Sequence, residues 1–337
     1  MVKAKVYIYA NAFDGFPKAG DLEIVEEELK PIKDGEFLAE AEFLSVDPYM
    51  RGYAPAFKIG TPIIGGQIAL IQESKNPNFP VGKYIFGQFG WRTHTVSNGL
   101  PNPKDAMSQY VLPDFKGLSP SLGLGVLGMP GNTAYFGLLE ICHPKQGETV
   151  VISGAAGAVG SHVGQIAKLK GCKVIGIAGS DDKGKMLIDD LKFDGFVNYK
   201  DKDFRKVLRQ ATPNGIDCYF DNVGGEISST VISQMNLFGR ISVCGAISAY
   251  NEKNPKASVI QGPLTMKQLK MEGFIVTRWY DRWMEGINQN LDWVKEGKIK
   301  YRETVTVGFE NMFQAFTDML KGVNYGKAIV RVKSIVK

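Results

Sequence analysis

Residues 149–171 read TVVISGAAGAVGSHVGQIAKLKG. The first five, ending at Ser153, are a β-branched apolar run, the pattern of a strand buried on both faces of a parallel sheet. Gly154, Gly157 and Gly160 follow at three-residue spacing. Glycines there let a backbone turn sharply and come close to a pyrophosphate. Val159, Val163, Ile166 and Ala167 then recur at helical spacing and share one helix face. A helix that begins beside such a loop offers unpaired N–H groups to phosphate charge. A glycine triplet alone also fits an ordinary tight turn. Strand, glycines, helix and a further strand in this order predict a dinucleotide site.

Downstream, residues 173–178, 196–199, 218–221 and 241–244 read as strands, with helices around 183–192, 202–211 and 226–237. Strands alternating with helices imply parallel pairing in a doubly wound α/β sheet. Residues 274–276 read as one more strand. Ile287, Leu291 and Val294 mark a helix ending near Gly297, and 326–332 a closing strand. Met312, Phe313, Phe316, Met319 and Leu320 lie at helical spacing and predict a core face.

Upstream the texture differs. Residues 6–9, 37–44, 63–71, 83–91 and 109–112 are short strand-like pieces broken by Gly, Pro and Asn, which suggests a partly open β-barrel. A helix is expected to start near Phe136. The tail is expected to rejoin the barrel. That gives a discontinuous substrate domain, 1–122 with 298–337, and a cofactor domain, 123–297.

The chain has 337 residues, 44% apolar and 22% charged, the balance of a globular protein. Its net charge of +5, from 40 basic and 35 acidic residues, is dispersed and forms no basic stripe of the kind nucleic-acid binding requires. No apolar run approaches the ~18 residues of a membrane span. The N-terminal residues lack a secretory pattern. Cys142, Cys172, Cys218 and Cys244 stand singly among apolar neighbours, as buried reduced thiols of a cytoplasmic protein would.

At the end of the second strand, an acid would accept from a ribose 2′-hydroxyl and a base would neutralise a 2′-phosphate. Ser180, Asp181, Asp182 and Lys183 all stand there, so both cofactors remain open. Lys183, at the start of the next helix, favours NADPH. Zinc would need cysteine and histidine ligands from the barrel. Before Cys142 there is only His94, and His143 and His162 lie elsewhere, so no metal is expected. Hydride addition to an activated carbon–carbon double bond needs only a placed nicotinamide and a donor to the developing enolate. Tyr250, in the loop after the fifth strand, is either that donor or an ordinary loop tyrosine.

VDPYMR (46–51), GMPGNTAYFGLLEIC (128–142), AAGAVGSHVGQIAKLKGCKVIG (155–176), DCYFDNVGGE (217–226) and GRISVCGAISAYN (239–251) together resemble one family. It is the zinc-independent medium-chain reductases, specifically the prostaglandin reductases, also called leukotriene hydroxydehydrogenases or alkenal/one reductases. The resemblance runs over essentially the whole chain. It implies an α/β fold, a Rossmann sheet domain plus a GroES-like partly open barrel. It implies NADPH-dependent reduction of 15-oxo-prostaglandins and of lipid-derived enals such as 4-hydroxynonenal, in a homodimer joined through the cofactor domains.

By motif, the resemblance makes Gly157, Ala158, Val159 and Gly160 the phosphate loop and sets Lys183 and Tyr199 around the 2′-phosphate. It gives cofactor contacts to Asn222, to Cys244, Gly245, Ala246, Ile247, Ser248, Ala249 and Tyr250, to Phe274, Ile275 and Val276, and to Asn324. Tyr250 matches the tyrosine near the reacting carbonyl, and Tyr49 and Arg51 sit in the substrate-side motif. The substrate is expected to meet the nicotinamide in a cleft between the two domains. Two departures stand out: residues 251–263 lack a proline-rich run, and Lys192 with Phe193 look like an insertion at a surface helix end. A quinone reductase on the same fold and a non-enzymatic NADPH-binding protein are the alternatives.

Overall fold

The computed structural model describes residues 2–100, 109–256 and 259–333. It separates into two units, one holding the chain up to Gly125 and again from Glu303, the other Val126–Arg302. Residues 257 and 258, inside the 251–263 stretch that lacks a proline-rich run, lie outside the described residues.

The first unit begins with β1 (Lys3–Tyr9), β2 (Leu22–Glu28), β3 (Phe37–Ser45), β4 (Gln67–Ser74), β5 (Tyr84–Gly87), β6 (His94–Ser97) and β7 (Tyr110–Val111). Between β3 and β4, Pro48 starts the single turn α1 (Tyr49–Gly52), as its fixed φ favours. β2 reads LEIVEEE and is mostly exposed; its glutamates hide an edge strand from hydrophobic pattern reading.

The second unit alternates as the sequence predicts. It runs α2 (Met129–Phe136), β8 (Thr149–Ser153), α3 (Ala158–Leu169), β9 (Lys173–Ala178), α4 (Asp181–Asp189), β10 (Gly195–Asn198) and α5 (Phe204–Ala211). Then come β11 (Ile216–Asp221), α6 (Gly225–Ser233), β12 (Met235–Val243), α7 (Gln261–Met266), β13 (Lys270–Gly273) and α8 (Trp283–Lys295). Among the described residues the sheet order is β10-β9-β8-β11-β12-β13, with every neighbouring pair parallel. β8 is buried along its whole length near the middle, so its carboxyl end opens at the centre of the sheet edge, where ligands of such sheets bind.

The chain then adds β14 (Glu303–Val307), α9 (Met312–Leu320) and β15 (Lys327–Arg331) to the first unit. The mixed sheet there runs β14-β15-β3-β4-β5-β7, with β6 also on β3. β1 and β2 form a separate ribbon. Met312, Phe316 and Met319 of α9 pack with Tyr7, Leu44 and the fully buried Trp91, whose indole N–H donates to the Ser45 carbonyl at 3.0 Å.

Four expectations need correction. The strand expected at 274–276 is β13, just before it; the Phe274 ring instead packs edge-on against Trp279, centroids 5.5 Å apart. The helix expected near Phe136 begins at Met129, where Pro130 suits a first turn. A wider turn, Gly137–Cys142, continues it until His143 takes a left-handed φ of 42°. The helix expected to reach 237 ends at Ser233, because Met235 onward joins β12. Lys192 does close a helix end at a φ of 60°, but Phe193 is buried.

Candidate functional site

The glycines of the opening stretch each have a separate geometric reason. Gly154 turns off β8 at a φ of 60°. A Cβ on Gly157 would lie 3.3 Å from the Gly154 carbonyl oxygen, and one on Gly160 only 2.4 Å from it. Both obstacles are backbone, so the loop closes only with glycine at Gly160. Ala158 and Val159 open α3, whose N-terminal N–H groups face the carboxyl edge of the sheet. One turn further, His162 is buried and its Nδ1 bonds the Ala158 carbonyl at 2.5 Å. Burial pulls its pKa down to about 4 against the pull of that carbonyl, so the ring is neutral near pH 7.

The neighbouring strand ends carry the cations. Ser180 caps α4 by accepting from the Lys183 N–H at 3.4 Å, and Lys183 is half-buried beside it. Desolvation, then the positive charge of Lys200, hold the Lys183 ammonium below its ordinary pKa. Tyr199, just after β10, lays its ring on Gly179, where a Cβ would sit 2.8 Å from the ring. The Asp181 carboxylate, a candidate acceptor for a ribose hydroxyl, already accepts from Asn198 Nδ2 at 3.0 Å.

At the end of β11 one buried carboxylate shapes the loop. Asp221 Oδ1 accepts from the Tyr219 hydroxyl at 2.8 Å, Ser153 Oγ at 3.1 Å and the N–H groups of Val223 at 3.0 Å and Gly224 at 2.9 Å. Burial, then the Asp221 charge, raise Tyr219 well above the ordinary phenol range, so it stays a donor. Asn222 Nδ2 donates to the Ser153 carbonyl at 2.7 Å, binding the β11 loop to the end of β8. Asp221 and Ser153 carry no site signal in the sequence pattern. Asp221 lies inside the DNVGG motif, but its spacing says nothing of four converging donors.

The loop after β12 is tied to the same hub. Cys244 and Gly245 donate N–H bonds to the Asp221 carbonyl at 2.8 and 3.2 Å, and Ser248 Oγ bonds the Val223 carbonyl at 2.6 Å. The loop turns through a short 3-10 segment, Ile247–Ala249, into Tyr250. The Ala246 N–H donates to the Tyr250 hydroxyl oxygen at 3.3 Å. A Cβ on Gly245 would lie 3.0 Å from that oxygen, so glycine lets the phenol fold back over the strand end. Burial, then Asp221, push the Cys244 thiol up to about 12, which keeps it protonated and non-nucleophilic.

Phe274, Ile275 and Val276 follow β13. The Phe274 side chain belongs to an aromatic cluster with Phe220 and Trp279, and Val276 is buried, leaving Ile275 as the exposed side chain. The second unit therefore gathers every expected cofactor residue except Asn324 at one sheet edge. In the first unit, Asn324 Nδ2 bonds the Gly326 carbonyl at 2.9 Å. Arg51 there is buried, donates from Nη2 to the Gly15 carbonyl at 2.8 Å and lies 5.4 Å over the Phe13 ring. Desolvation lowers its pKa. Tyr49, two residues back on α1, packs beside Tyr53, ring centroids 5.9 Å apart.

Among the described residues, no group of three or more His, Cys, Asp or Glu side chains is arranged to hold a metal ion, and no helix is long and apolar enough to cross a membrane.

Two family profiles match the chain: "N-terminal domain of oxidoreductase" over residues 5–103 and "Zinc-binding dehydrogenase" over residues 158–294. Prostaglandin reductase 1 of Bos taurus is 51% identical, covering 98% of this chain and 100% of the relative. The NADP(+)-dependent 2-alkenal reductase of Nicotiana tabacum is 37% identical, covering 98% of each chain. The crystal structure of CurA from Vibrio vulnificus in complex with NADPH superposes with a TM-score of 0.90 at 36% identity, covering 98% of this chain and 99% of that one.

Proposed function

The chain belongs to the prostaglandin reductase family of zinc-independent medium-chain reductases, and we propose that it uses NADPH to reduce the carbon–carbon double bond of α,β-unsaturated ketones and aldehydes. One observation carries this reading: a glycine-lined cradle, a lysine-bearing strand end and a tethered phenol hydroxyl converge on the same sheet edge of one unit. When bound, NADPH supplies the hydride, which goes to the β-carbon.

The chain's own groups do the rest. Gly157, Ala158, Val159 and Gly160 present N–H groups to the pyrophosphate. Lys183 and Tyr199 take the 2′-phosphate. Asn222, residues 244–250 and residues 274–276 border the nicotinamide side, and Asn324 is assigned to the cofactor from the family motif. The Tyr250 hydroxyl donates to the substrate oxygen as negative charge grows there, an interaction worth about 2.7–4 kcal/mol in comparable oxyanion sites. Tyr49 and Arg51 contact the remainder of the substrate. The first unit, with its barrel-like sheet, is the substrate domain.

We further read 15-oxo-prostaglandins and lipid-derived enals such as 4-hydroxynonenal as the substrates, the cytoplasm as the location, and a homodimer as the working form. The sheet edge at β13 supports the homodimer, because Leu237 and Phe238 on β12, Met266 at the end of α7 and Ile275 just after β13 are exposed apolar side chains. The test is consumption of NADPH with a 15-oxo-prostaglandin, 4-hydroxynonenal or a simple quinone as acceptor. Turnover of either enone supports the reading. Turnover of the quinone alone replaces it with quinone reduction, and tight NADPH binding without any turnover replaces it with a non-enzymatic role.

A further inference from the structure

We propose that Lys200 is a second cation for the 2′-phosphate of NADPH and that it, together with Lys183, sets the preference for NADPH over NADH. The proposal rests on the reading that the ends of β9 and β10 hold the adenosine end of the cofactor.

Three features of the local structure lead to Lys200. Its ammonium lies 5.9 Å from the centroid of the Tyr199 ring, within range of a cation–π attraction. That ring is itself seated on Gly179 at the end of β9, so the lysine is braced above the strand end. Its backbone is fixed as well: the Lys200 N–H donates to Asn198 Oδ1 at 3.1 Å, and Asn198 Nδ2 donates to Asp181 at the start of α4. Finally, Lys183 opens α4 from the end of β9, the strand end on which the Tyr199 ring is seated, and desolvation followed by the positive charge of Lys200 holds its ammonium below the ordinary pKa.

Like charges on neighbouring strand ends repel, and a bound dianion offsets that repulsion while neutralising both. A 2′-phosphate is such a dianion; a 2′-hydroxyl is not. The acid that would compete for a hydroxyl, Asp181, is turned toward Asn198 instead. The pair therefore discriminates between the cofactors by charge. Lys183 alone would carry the discrimination only in part.

The test is the dissociation constant of NADPH and of NADH for the full-length protein and for Lys200→Gln, Lys200→Arg and Lys183→Gln, each checked for a native melting curve. Lys200→Gln is expected to weaken NADPH about tenfold (about 1.4 kcal/mol) relative to NADH. Lys200→Arg is expected to restore most of the ratio, and Lys183→Gln to lower it as well. If Lys200→Gln weakens both cofactors equally, Lys200 is structural and the inference falls. If Lys183→Gln lowers the ratio and Lys200→Gln does not, the inference falls while the assignment of the strand ends stands. If neither variant moves the ratio, that assignment falls too.

Discussion

Tyr250 is the residue on which the chemistry turns. Its hydroxyl oxygen accepts from the Ala246 N–H, so the ring is held in place by the loop it belongs to. Tyr250→Phe is expected to lower kcat roughly a hundredfold with a smaller change in NADPH affinity; steady-state rates beside a binding titration separate the two. His162 makes a different kind of prediction. Its folded pKa of about 4 lies below the ordinary 6.5. Between those values the unfolded chain binds a proton that the folded chain refuses. Stability is therefore full above pH 6.5 and declines as pH falls toward 4, by on the order of 3 kcal/mol. Thermal denaturation across that window should show a steeper decline for the native protein than for His162→Gln.

Among the elements, the glycine-bearing turn and α3 were legible from residue types alone, because β8, the glycines and the apolar helix face each follow a strong local rule. Strand β2 was not, since its glutamates give no inward pattern. Nor was the position of β13: its residues KMEG are no strand by composition, and it exists because β12 offers a free edge. In the site, the glycines and Lys183 could be read from spacing, whereas Asp221 acts through donors from four separate positions. Phe193 shows the same limit. It reads as a surface insertion, yet its ring fills the space against Gly164, where a Cβ would come within 1.9 Å of it. Gly164→Ala is therefore expected to cost about 1–3 kcal/mol by overpacking, which a urea midpoint reads directly. Gly160→Ala should abolish NADPH binding, because its Cβ would meet the Gly154 carbonyl and not a flexible side chain.

For the molecule as a whole, each unit has a buried polar feature or an exposed apolar one that tests its role. In the first unit, Lys327 Nζ bonds Asp47 Oδ1 at 2.9 Å and the Val46 and Ala328 carbonyls at 2.8 and 3.0 Å, and Ser45 Oγ bonds the same carboxylate. This buried pair pins the turn that leads into Tyr49 and Arg51. Lys327→Met would strand the Asp47 charge and is expected to cost about 3–5 kcal/mol in chemical denaturation. In the second unit, Phe238 is 60% exposed at a φ of 60° beside the sheet edge. Phe238→Asp is expected to convert a dimer to a monomer by light scattering, and an unchanged mass would place the dimer contact elsewhere.

The most direct test of the central claim is the product formed from a simple enone and NADPH deuterated at its transferable position, identified by mass and by NMR. Hydride transfer to the β-carbon gives the saturated ketone with one deuterium at that carbon, the expected product. An allylic alcohol carrying deuterium at the carbonyl carbon would contradict it, because the chain would then be a carbonyl reductase.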